Sequence, residues 1–313
     1  MDKIASPSIF KRVQENLSRV IKGKSKVLNH IVVALFAGGH ILMEDVPGVG
    51  KTTLAKALAQ SIRGEFKRVQ FTPDLLPTDI LGSSIYNPKN ATFDFKAGPV
   101  FANILLADEI NRASPRTQSS LLEAMNEGQV TIEGNRYPLP YPFIVIATQN
   151  PVEFHGTYPL PEAQLDRFAA KLELGYPSLD DEMEILEGQR ELHPIDNLQP
   201  VAELEEILKA QKTVRKIRIE RPISQYILAI VSETRNDPRL KLGVSPRGSL
   251  TLSRMAQSLA YSKEREYVLP DDVKELAVIV LAHRLVLETK AKYSGISKES
   301  VIKDLLTKIK VPV

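Results

Sequence analysis

The residues best suited to chemistry in this sequence form a glycine-rich run that ends in a lysine and two threonines. Apolar residues 41–43 precede the run, and a helix-like stretch at 54–59 follows it. Glycines let a backbone fold around an anion, so that several N–H groups point at it. A lysine in this position reaches the β- and γ-phosphates of a nucleotide, and the next hydroxyl holds a magnesium ion. The run therefore predicts a phosphate site made by Asp45, Val46, Pro47, Gly48, Val49, Gly50, Lys51, Thr52 and Thr53.

Lys51 takes the phosphate-binding place in this pattern, and Thr52 takes the magnesium-binding place. Asp45 departs from the pattern, which usually begins with glycine. The part that crowds the anion, residues 48–52, is intact. A tight strand-to-helix turn with an accidental lysine and threonine is the alternative, but the flanks on both sides favour a nucleotide site.

Two carboxylates, Asp108 and Glu109, follow the apolar run at 103–107. On its own such a run is usually the solvated end of a strand. Beside a phosphate loop, it predicts the second half of the site. Asp108 would hold magnesium, directly or through water, and Glu109 would polarise a water for attack on the γ-phosphate.

Asn150 lies just after the next apolar run, 143–147. Its amide could orient the attacking water or contact the γ-phosphate. Asparagine before Pro151 is also typical of a plain turn, and without the neighbouring motifs that would be the better explanation. Its position beyond a third buried strand keeps it as a candidate site residue.

Strands that alternate with helices must position these residues. Apolar spacing predicts a helix at 8–21, a second one before Gly38, and a third from the phosphate loop to about Ile62. Strands are predicted at 41–43, 65–71, 103–107 and 143–147. Ser114 and Pro115 begin a helix that reaches Asn126, and a hairpin with a Gly134-Asn135 turn follows it. This order implies an α/β fold with a parallel sheet covered on both faces.

Two segments differ from this alternation. Proline and glycine punctuate residues 72–99, which indicates an inserted loop or hairpin. After Pro177 no further strand is predicted, and the helical stretches fall at about 180–191, 201–213, 222–235, 246–263, 271–283 and 297–310. We therefore predict a nucleotide-binding core at 1–190 and a small all-helical domain at 191–313.

Composition excludes several classes of function. The 313 residues are 43% hydrophobic and 25% charged, as in ordinary soluble domains, and the net charge of +3 is too small to imply nucleic acid. The absence of cysteine excludes disulfides and thiol chemistry. The longest apolar stretch, 31–43, is short of the roughly 18 residues that span a bilayer, and the charged N-terminus lacks an export segment. These features predict a cytoplasmic protein.

The residues at 45–53, 105–112 and 147–151 together resemble those of AAA+ ATPases. Within that superfamily the sequence is similar to the MoxR family over nearly the whole chain, because its motifs occur in family order. The segments that carry this resemblance are 98–101, 107–113, 118–125, 147–151, 160–168, 245–247 and 269–273.

The resemblance implies an αβα core with a helical lid, and rings, usually hexamers, that bind ATP between subunits. It gives Asn150 the place of sensor 1 and Arg167 the place of the arginine finger that reaches into a neighbour's site. Arg247 takes the sensor-2 place on the lid. In an arbitrary protein both arginines would be ordinary surface or helix-end residues. Arg112 is a rival to them for phosphate sensing.

The resemblance also implies how the base and the partners are bound. Val20, Ile21 and Gly23 lie in a segment similar to the one that cradles adenine, although Lys24 stands where glutamine is commoner. Residues 72–99 are similar to the insert in the second core helix of this branch. The implied cofactors are ATP and Mg²⁺, and the implied partners are a protein client and a protein with a von Willebrand A domain.

We expect an ATP-hydrolysing motor of MoxR type that acts as a chaperone-like remodeller or assembly factor. One alternative is a slow nucleotide switch or scaffold, which would need a damaged catalytic residue, whereas Glu109, Asn150 and Arg167 are all present. The other is an AAA+ protein that acts on nucleic acid. It would need a basic face or an added DNA-binding module, and neither is indicated.

Overall fold

The structure, a computed structural model, describes residues 8–150, 157–188 and 193–312. Its first part contains, in chain order, α1 (Ser8–Val20), α2 (Ser25–Ala37), β1 (Ile41–Glu44), α3 (Lys51–Ser61), β2 (Phe66–Gln70), α4 (Pro77–Leu81), β3 (Gly82–Asn87), β4 (Thr92–Ala97), β5 (Ile104–Asp108), α5 (Pro115–Glu127), β6 (Gln129–Ile132), β7 (Asn135–Pro138), β8 (Ile144–Gln149), α6 (Glu162–Leu165) and β9 (Ala170–Leu172). The rest contains α7 (Leu179–Gly188), α8 (Leu204–Val214), α9 (Arg221–Asn236), β10 (Leu240–Leu242), α10 (Pro246–Ser262), α11 (Pro270–Leu281), β11 (Val286–Leu287), α12 (Thr289–Tyr293) and α13 (Lys298–Lys308).

A five-stranded parallel sheet forms the centre of the first part, with the strand order β2-β5-β8-β1-β9. The predicted α/β fold class is confirmed. β1 and β5 both lie next to β8, and parallel strands end at the same edge of a sheet. The segments that follow these three strands therefore meet at one edge, although they are far apart in the sequence.

Both faces of the sheet are buried, and successive residues of a strand pack into two different cores. Ile41 and Met43 of β1 pack with helices α1 to α3, whereas Leu42 packs on the other side with residues of α5. A strand buried on both faces is apolar at every position rather than at alternate ones. This explains the uninterrupted apolar runs at 104–107 and 144–147.

Two hairpins lie outside the central sheet. Residues 72–99, predicted as an inserted loop or hairpin, form α4 and the antiparallel pair β3-β4. The second hairpin, β6-β7, is also present, but its turn is Glu133-Gly134 rather than the predicted Gly134-Asn135, because Asn135 pairs with Ile132. The two turn residues have φ of 50° and 82°, the positive values that a tight hairpin turn requires.

The helices predicted after Pro177 are present in the described residues. The same part of the chain also contains a short antiparallel pair of strands, β10-β11, which was not predicted for an all-helical second domain. The apolar core continues from α2 into α8 and α10, and buried Ser258 donates to the carbonyl oxygen of Val33. The predicted boundary at residue 190 lies outside the described residues and stays a prediction.

Within the described residues, no helix combines the length and the apolar character that a membrane crossing requires.

Candidate nucleotide site

The phosphate loop connects the end of β1 to the start of α3. Gly48 and Gly50 have φ of 85° and 95°, a left-handed backbone that glycine adopts without strain. Gly50 directly precedes the first turn of α3, whose N–H groups have no partner within the helix. Lys51 Nζ donates to the carbonyl oxygens of Asp45 and Val46, at 2.9 and 3.2 Å. The loop thus has the backbone and the cation of a phosphate-binding turn.

A cavity of about 380 Å³ lies beside this loop, at the edge where β1, β5 and β8 end. We call it the nucleotide cavity. It is lined by Pro47, Gly48, Gly50, Lys51, Thr52, Thr53, Arg68, Gln70, Asp108, Glu109, Thr148 and Asn150. The structure therefore brings together the loop, both carboxylates and Asn150, as predicted from the sequence. Three residues of the predicted phosphate site, Asp45, Val46 and Val49, do not line the cavity.

The side chain of Asp45 has a different set of partners. It is buried, and its two carboxylate oxygens accept hydrogen bonds from the backbone N–H groups of Leu174 and Gly175, at 2.7 and 2.9 Å. These residues follow β9. The aspartate that stands in place of the usual glycine therefore connects the phosphate loop to the chain that leaves the central sheet.

A threonine that local sequence patterns do not reveal contacts both acidic residues. Thr148 of β8 donates from its hydroxyl to Asp108 Oδ1 at 2.6 Å and accepts from the N–H of Glu109 at 2.8 Å. Glu109 has a φ of 55°, which is strained for a residue other than glycine. This backbone conformation turns the chain sharply after β5, and both acidic side chains line the cavity.

Three further polar residues contact these carboxylates. Arg68 of β2 forms an ion pair with Asp108 Oδ2 at 2.6 Å. Gln70 and Arg112 both donate to Glu109 Oε2, at 2.8 and 3.1 Å. The sequence gives no sign of the roles of Arg68 and Gln70, because they depend on β2 lying next to β5. Arg112, the rival candidate for phosphate sensing, contacts the predicted base instead.

The segment predicted to contact adenine lies beside the phosphate loop. Val20 and Ile21 are buried, and a Cβ atom placed on Gly50 would lie 3.8 Å from Ile21 Cδ1. Gly23 has a φ of 69°, and the carboxylate of Asp181 packs directly against it. The structure therefore puts an apolar side chain next to the phosphate loop.

Arg167 and Arg247 lie together, but they are not among the residues that line the nucleotide cavity. Both line a second cavity of about 370 Å³. Arg167 Nη1 donates to the carbonyl oxygen of Leu122, and Arg247 Nη2 donates to Asn126 Oδ1. Burial lowers the pKa of Arg167, and the positive charge of Arg247 lowers it further. The two arginines are therefore close enough to repel each other.

The oxygen ligands at the nucleotide cavity fit a magnesium ion. The hydroxyl of Thr52 and the carboxylate of Asp108 both line it. The part of the chain that the structure describes contains no cluster of three or more acidic or imidazole side chains that would hold a metal by itself. Magnesium usually binds through one or two carboxylates together with substrate phosphates. This donor set suits a magnesium ion that arrives with a nucleotide.

Comparisons with known proteins agree with this arrangement. The family described as ATPase family associated with various cellular activities (AAA) matches residues 40–170, and the AAA lid domain matches residues 232–305. An uncharacterised protein of Bacillus subtilis (strain 168), YeaC, is 52% identical over 299 residues, which cover 96% of this chain and 93% of that protein. Chaperone MoxR1 of Mycobacterium tuberculosis is 42% identical over 305 residues, covering 95% and 80%.

A solved structure has the same fold. It is that of a presumed ATPase from Cytophaga hutchinsonii, which superposes with a TM-score of 0.91 at 39% identity and covers 98% of this chain and 96% of that one. The fold, the site at the ends of β1, β5 and β8, and these relatives identify the chain as a member of the MoxR family of AAA+ ATPases.

Proposed function

We propose that this chain is a magnesium-dependent ATP hydrolase whose active site is shared between neighbouring subunits of a hexameric ring. The observation that carries the proposal is the meeting of Lys51, Thr52, Asp108 and Glu109 in the nucleotide cavity. A cation, two metal ligands and a carboxylate base are the groups that phosphoryl transfer to water needs.

The phosphate loop binds and orients the nucleotide. A bound magnesium ion would supply positive charge that stabilises the charge developing on the transferred phosphoryl group. Thr52 and Asp108 are the residues that would hold it. Lys51 would donate to phosphate oxygens in exchange for the carbonyl oxygens that it contacts in this structure. Asp108 would likewise exchange its ion pair with Arg68 for the metal.

Glu109 is the proposed general base. Its carboxylate accepts hydrogen bonds from Gln70 and Arg112 at Oε2 in this structure, so Oε1 is the oxygen that would accept a proton from water. Asn150 lines the same cavity and carries an amide that would orient this water. Val20, Ile21 and Gly23 would contact the adenine base.

We infer that Arg167 and Arg247 act on the nucleotide of a neighbouring subunit. Neither lines the cavity that contains Lys51, and both line a separate cavity. An arginine supplied by a neighbour stabilises charge on the transferring phosphoryl group. Residues 1–190 would then be the nucleotide-binding core and residues 191–313 the lid that carries Arg247.

The proposed biological role is chaperone-like remodelling or assembly of a partner protein. One relative is named a chaperone. The family resemblance suggests a client protein or a partner with a von Willebrand A domain. Affinity capture with the Glu109→Gln variant held in ATP would recover such partners if it stabilises their complex. Recovery of the same proteins by the Lys51→Ala variant would show that capture does not depend on ATP.

A slowly hydrolysing nucleotide switch is the second candidate function. The hydrogen bonds from Gln70 and Arg112 to Glu109 Oε2 favour it, because they restrain the orientation of the proposed base. Turnover under saturating ATP separates the two, since a motor hydrolyses at about 1 s⁻¹ or faster and an unassisted switch is orders of magnitude slower.

The ATPase proposal is tested by separating binding from turnover. Lys51→Ala should lose ATP binding, because it removes the cation of the loop. Glu109→Gln should bind ATP with magnesium as the parent does, yet hydrolyse it at least about a hundredfold more slowly, which is the usual contribution of a general base. Chelation of magnesium should stop turnover by the parent. Hydrolysis by Glu109→Gln at the parent rate would remove Glu109 from the base role.

A further inference from the structure

The cavity that contains Arg167 and Arg247 holds two more arginines, Arg215 and Arg254. We call it the arginine cavity. The described residues that line it include no aspartate or glutamate. Four guanidinium groups around a volume of about 370 Å³ form a dense concentration of positive charge.

Little in the described part of the chain compensates this charge. None of the four guanidinium groups has a carboxylate oxygen within 4.0 Å there, although Glu123 and Glu127 of α5 are close enough to attract Arg167. The Nε atom of Arg167 is buried and has no hydrogen-bond acceptor among the described residues. A buried donor without an acceptor is costly, so this nitrogen adds an unsatisfied polar group beside the cavity.

The fold positions the two additional arginines on one surface. Arg254 follows Arg247 by seven residues on α10, and this spacing puts both side chains on the same face of the helix. Arg215 directly follows the end of α8. Gln257 of α10 donates to the carbonyl oxygen of Ile217 at 2.7 Å, so the chain after α8 is held against α10. Arg215, Arg247 and Arg254 are thus on elements that pack together.

We propose that Arg215 and Arg254 join Arg167 and Arg247 in binding the polyphosphate of a nucleotide held by the phosphate loop of a neighbouring copy. Arginine is suited to this role because its planar fork donates two parallel hydrogen bonds to phosphate oxygens. Arg215, Arg247 and Arg254 are exposed, as residues that reach across an interface must be in a single subunit. This inference rests on the shared site proposed above.

The test measures assembly driven by ATP rather than hydrolysis. All variants carry Glu109→Gln, so that ATP stays bound, and sedimentation velocity gives the protein concentration at which half of the subunits are assembled. Arg215→Ala and Arg254→Ala should each raise this concentration about tenfold, the loss expected for one hydrogen-bonded contact to a charged group. Arg221→Ala is the matched control, because Arg221 is exposed, lies on α9 and lines neither cavity.

ATP affinity of isolated subunits, measured below the assembly concentration, should be equal in all these variants, because each subunit keeps its own phosphate loop. Assembly by Arg215→Ala and Arg254→Ala at the concentration of the control would overturn the inference. If Arg167→Ala nevertheless weakens assembly in the same series, the proposed shared site is still supported. If Glu109→Gln does not assemble with ATP at all, both the shared site and the role of Arg215 and Arg254 are contradicted.

A free polyphosphate anion is the alternative ligand of the arginine cavity, because it presents the same phosphate oxygens as a nucleotide. Inorganic tripolyphosphate titrated into the Lys51→Ala variant, whose own loop is disabled, distinguishes the two sources. Weak binding that is equal with and without Arg254→Ala supports the neighbour's nucleotide. Micromolar binding to isolated subunits that Arg254→Ala abolishes would assign the arginine cavity to a free anion and overturn the inference.

Discussion

Thr148 is the side chain that contacts both acidic residues of the nucleotide cavity. Its hydroxyl donates to Asp108 and accepts from the N–H of Glu109, so it fixes the predicted metal ligand and the strained backbone of the predicted base together. Valine has nearly the same shape but offers neither bond. Replacement of Thr148 by valine therefore removes both hydrogen bonds without creating a cavity.

We predict that Thr148→Val lowers the free energy of unfolding by about 1–3 kcal/mol, because it leaves the N–H of Glu109 without an acceptor. It should also lower kcat more than it weakens ATP binding, since the phosphate loop is untouched. Urea unfolding and steady-state hydrolysis measure the two effects. Thr131→Val, at an exposed position of β6, is the control. Equal stability and equal kcat for both variants would contradict the role given to Thr148.

His40, also at the residue scale, makes the free energy of unfolding depend on pH. Its Nδ1 accepts from the N–H of Val145 at 3.0 Å, and its Nε2 lies 3.2 Å from the carbonyl oxygen of Met125. This pair of bonds needs the neutral ring with the proton on Nε2. Burial lowers the pKa of His40 to about 4, and the nearby charge of Arg247 adds to the effect.

Because the folded state disfavours the protonated imidazole, stability should be lost as the pH falls from about 6.5 towards 4. Between pH 7 and 5, the parent should lose up to about 2 kcal/mol of unfolding free energy more than His40→Gln does. Reversible urea unfolding at both pH values measures the difference. The same loss in both proteins would show that His40 does not contribute this term.

At the residue scale, the sequence could predict the members of the site that follow apolar strands. The phosphate loop, Asp108, Glu109 and Asn150 each come directly after such a run. Arg68, Gln70 and Thr148 could not be identified in this way. Their contacts with the carboxylates exist only because β2 and β8 flank β5, and the strand order is not visible in local patterns.

At the element scale, Asp45 joins the phosphate loop to the end of β9. Two backbone N–H groups donate to its carboxylate, and the side chain is buried. An asparagine in its place has a single oxygen acceptor and presents an NH₂ group to the second N–H. The loop and the chain that leaves the sheet would then be held together less firmly.

Asp45→Asn should therefore lower the free energy of unfolding by about 2 kcal/mol, as expected when a buried donor loses its charged acceptor. Urea unfolding without nucleotide isolates this effect from ATP binding. Asp180→Asn is the matched control, since Asp180 is exposed and lies at the start of α7. If the two variants are equally stable, the carboxylate of Asp45 does not hold these segments together.

Periodicity predicted the long elements well and the short ones poorly. The apolar strands of the sheet and the helices after Pro177 each give several residues of regular pattern. β10 and β11 have only three and two residues, and all five are partly or fully exposed, so no apolar alternation marks them. The hairpin turn was displaced by one residue because Glu133, rather than Asn135, takes a positive φ beside Gly134.

At the scale of the whole molecule, the predicted site residues line two separate cavities. The loop, the carboxylates and Asn150 line one cavity, and the arginines line another. The proposed ring would bring the two cavities together, because a head-to-tail contact would set the arginine cavity of one subunit against the nucleotide cavity of the next. Specific activity should then rise with protein concentration until assembly is complete.

The most direct test of the shared site is a mixture of two inactive variants, Arg167→Ala and Lys51→Ala. An arginine finger is worth on the order of 10³-fold or more in rate, so each variant alone should hydrolyse ATP very slowly. In rings mixed at random in equal amounts, about a quarter of the interfaces combine an intact phosphate loop with an intact Arg167. We predict that the mixture recovers up to about a quarter of the parent activity. A mixture no more active than its components, together with parent turnover that does not change with protein concentration, would contradict a site shared between subunits.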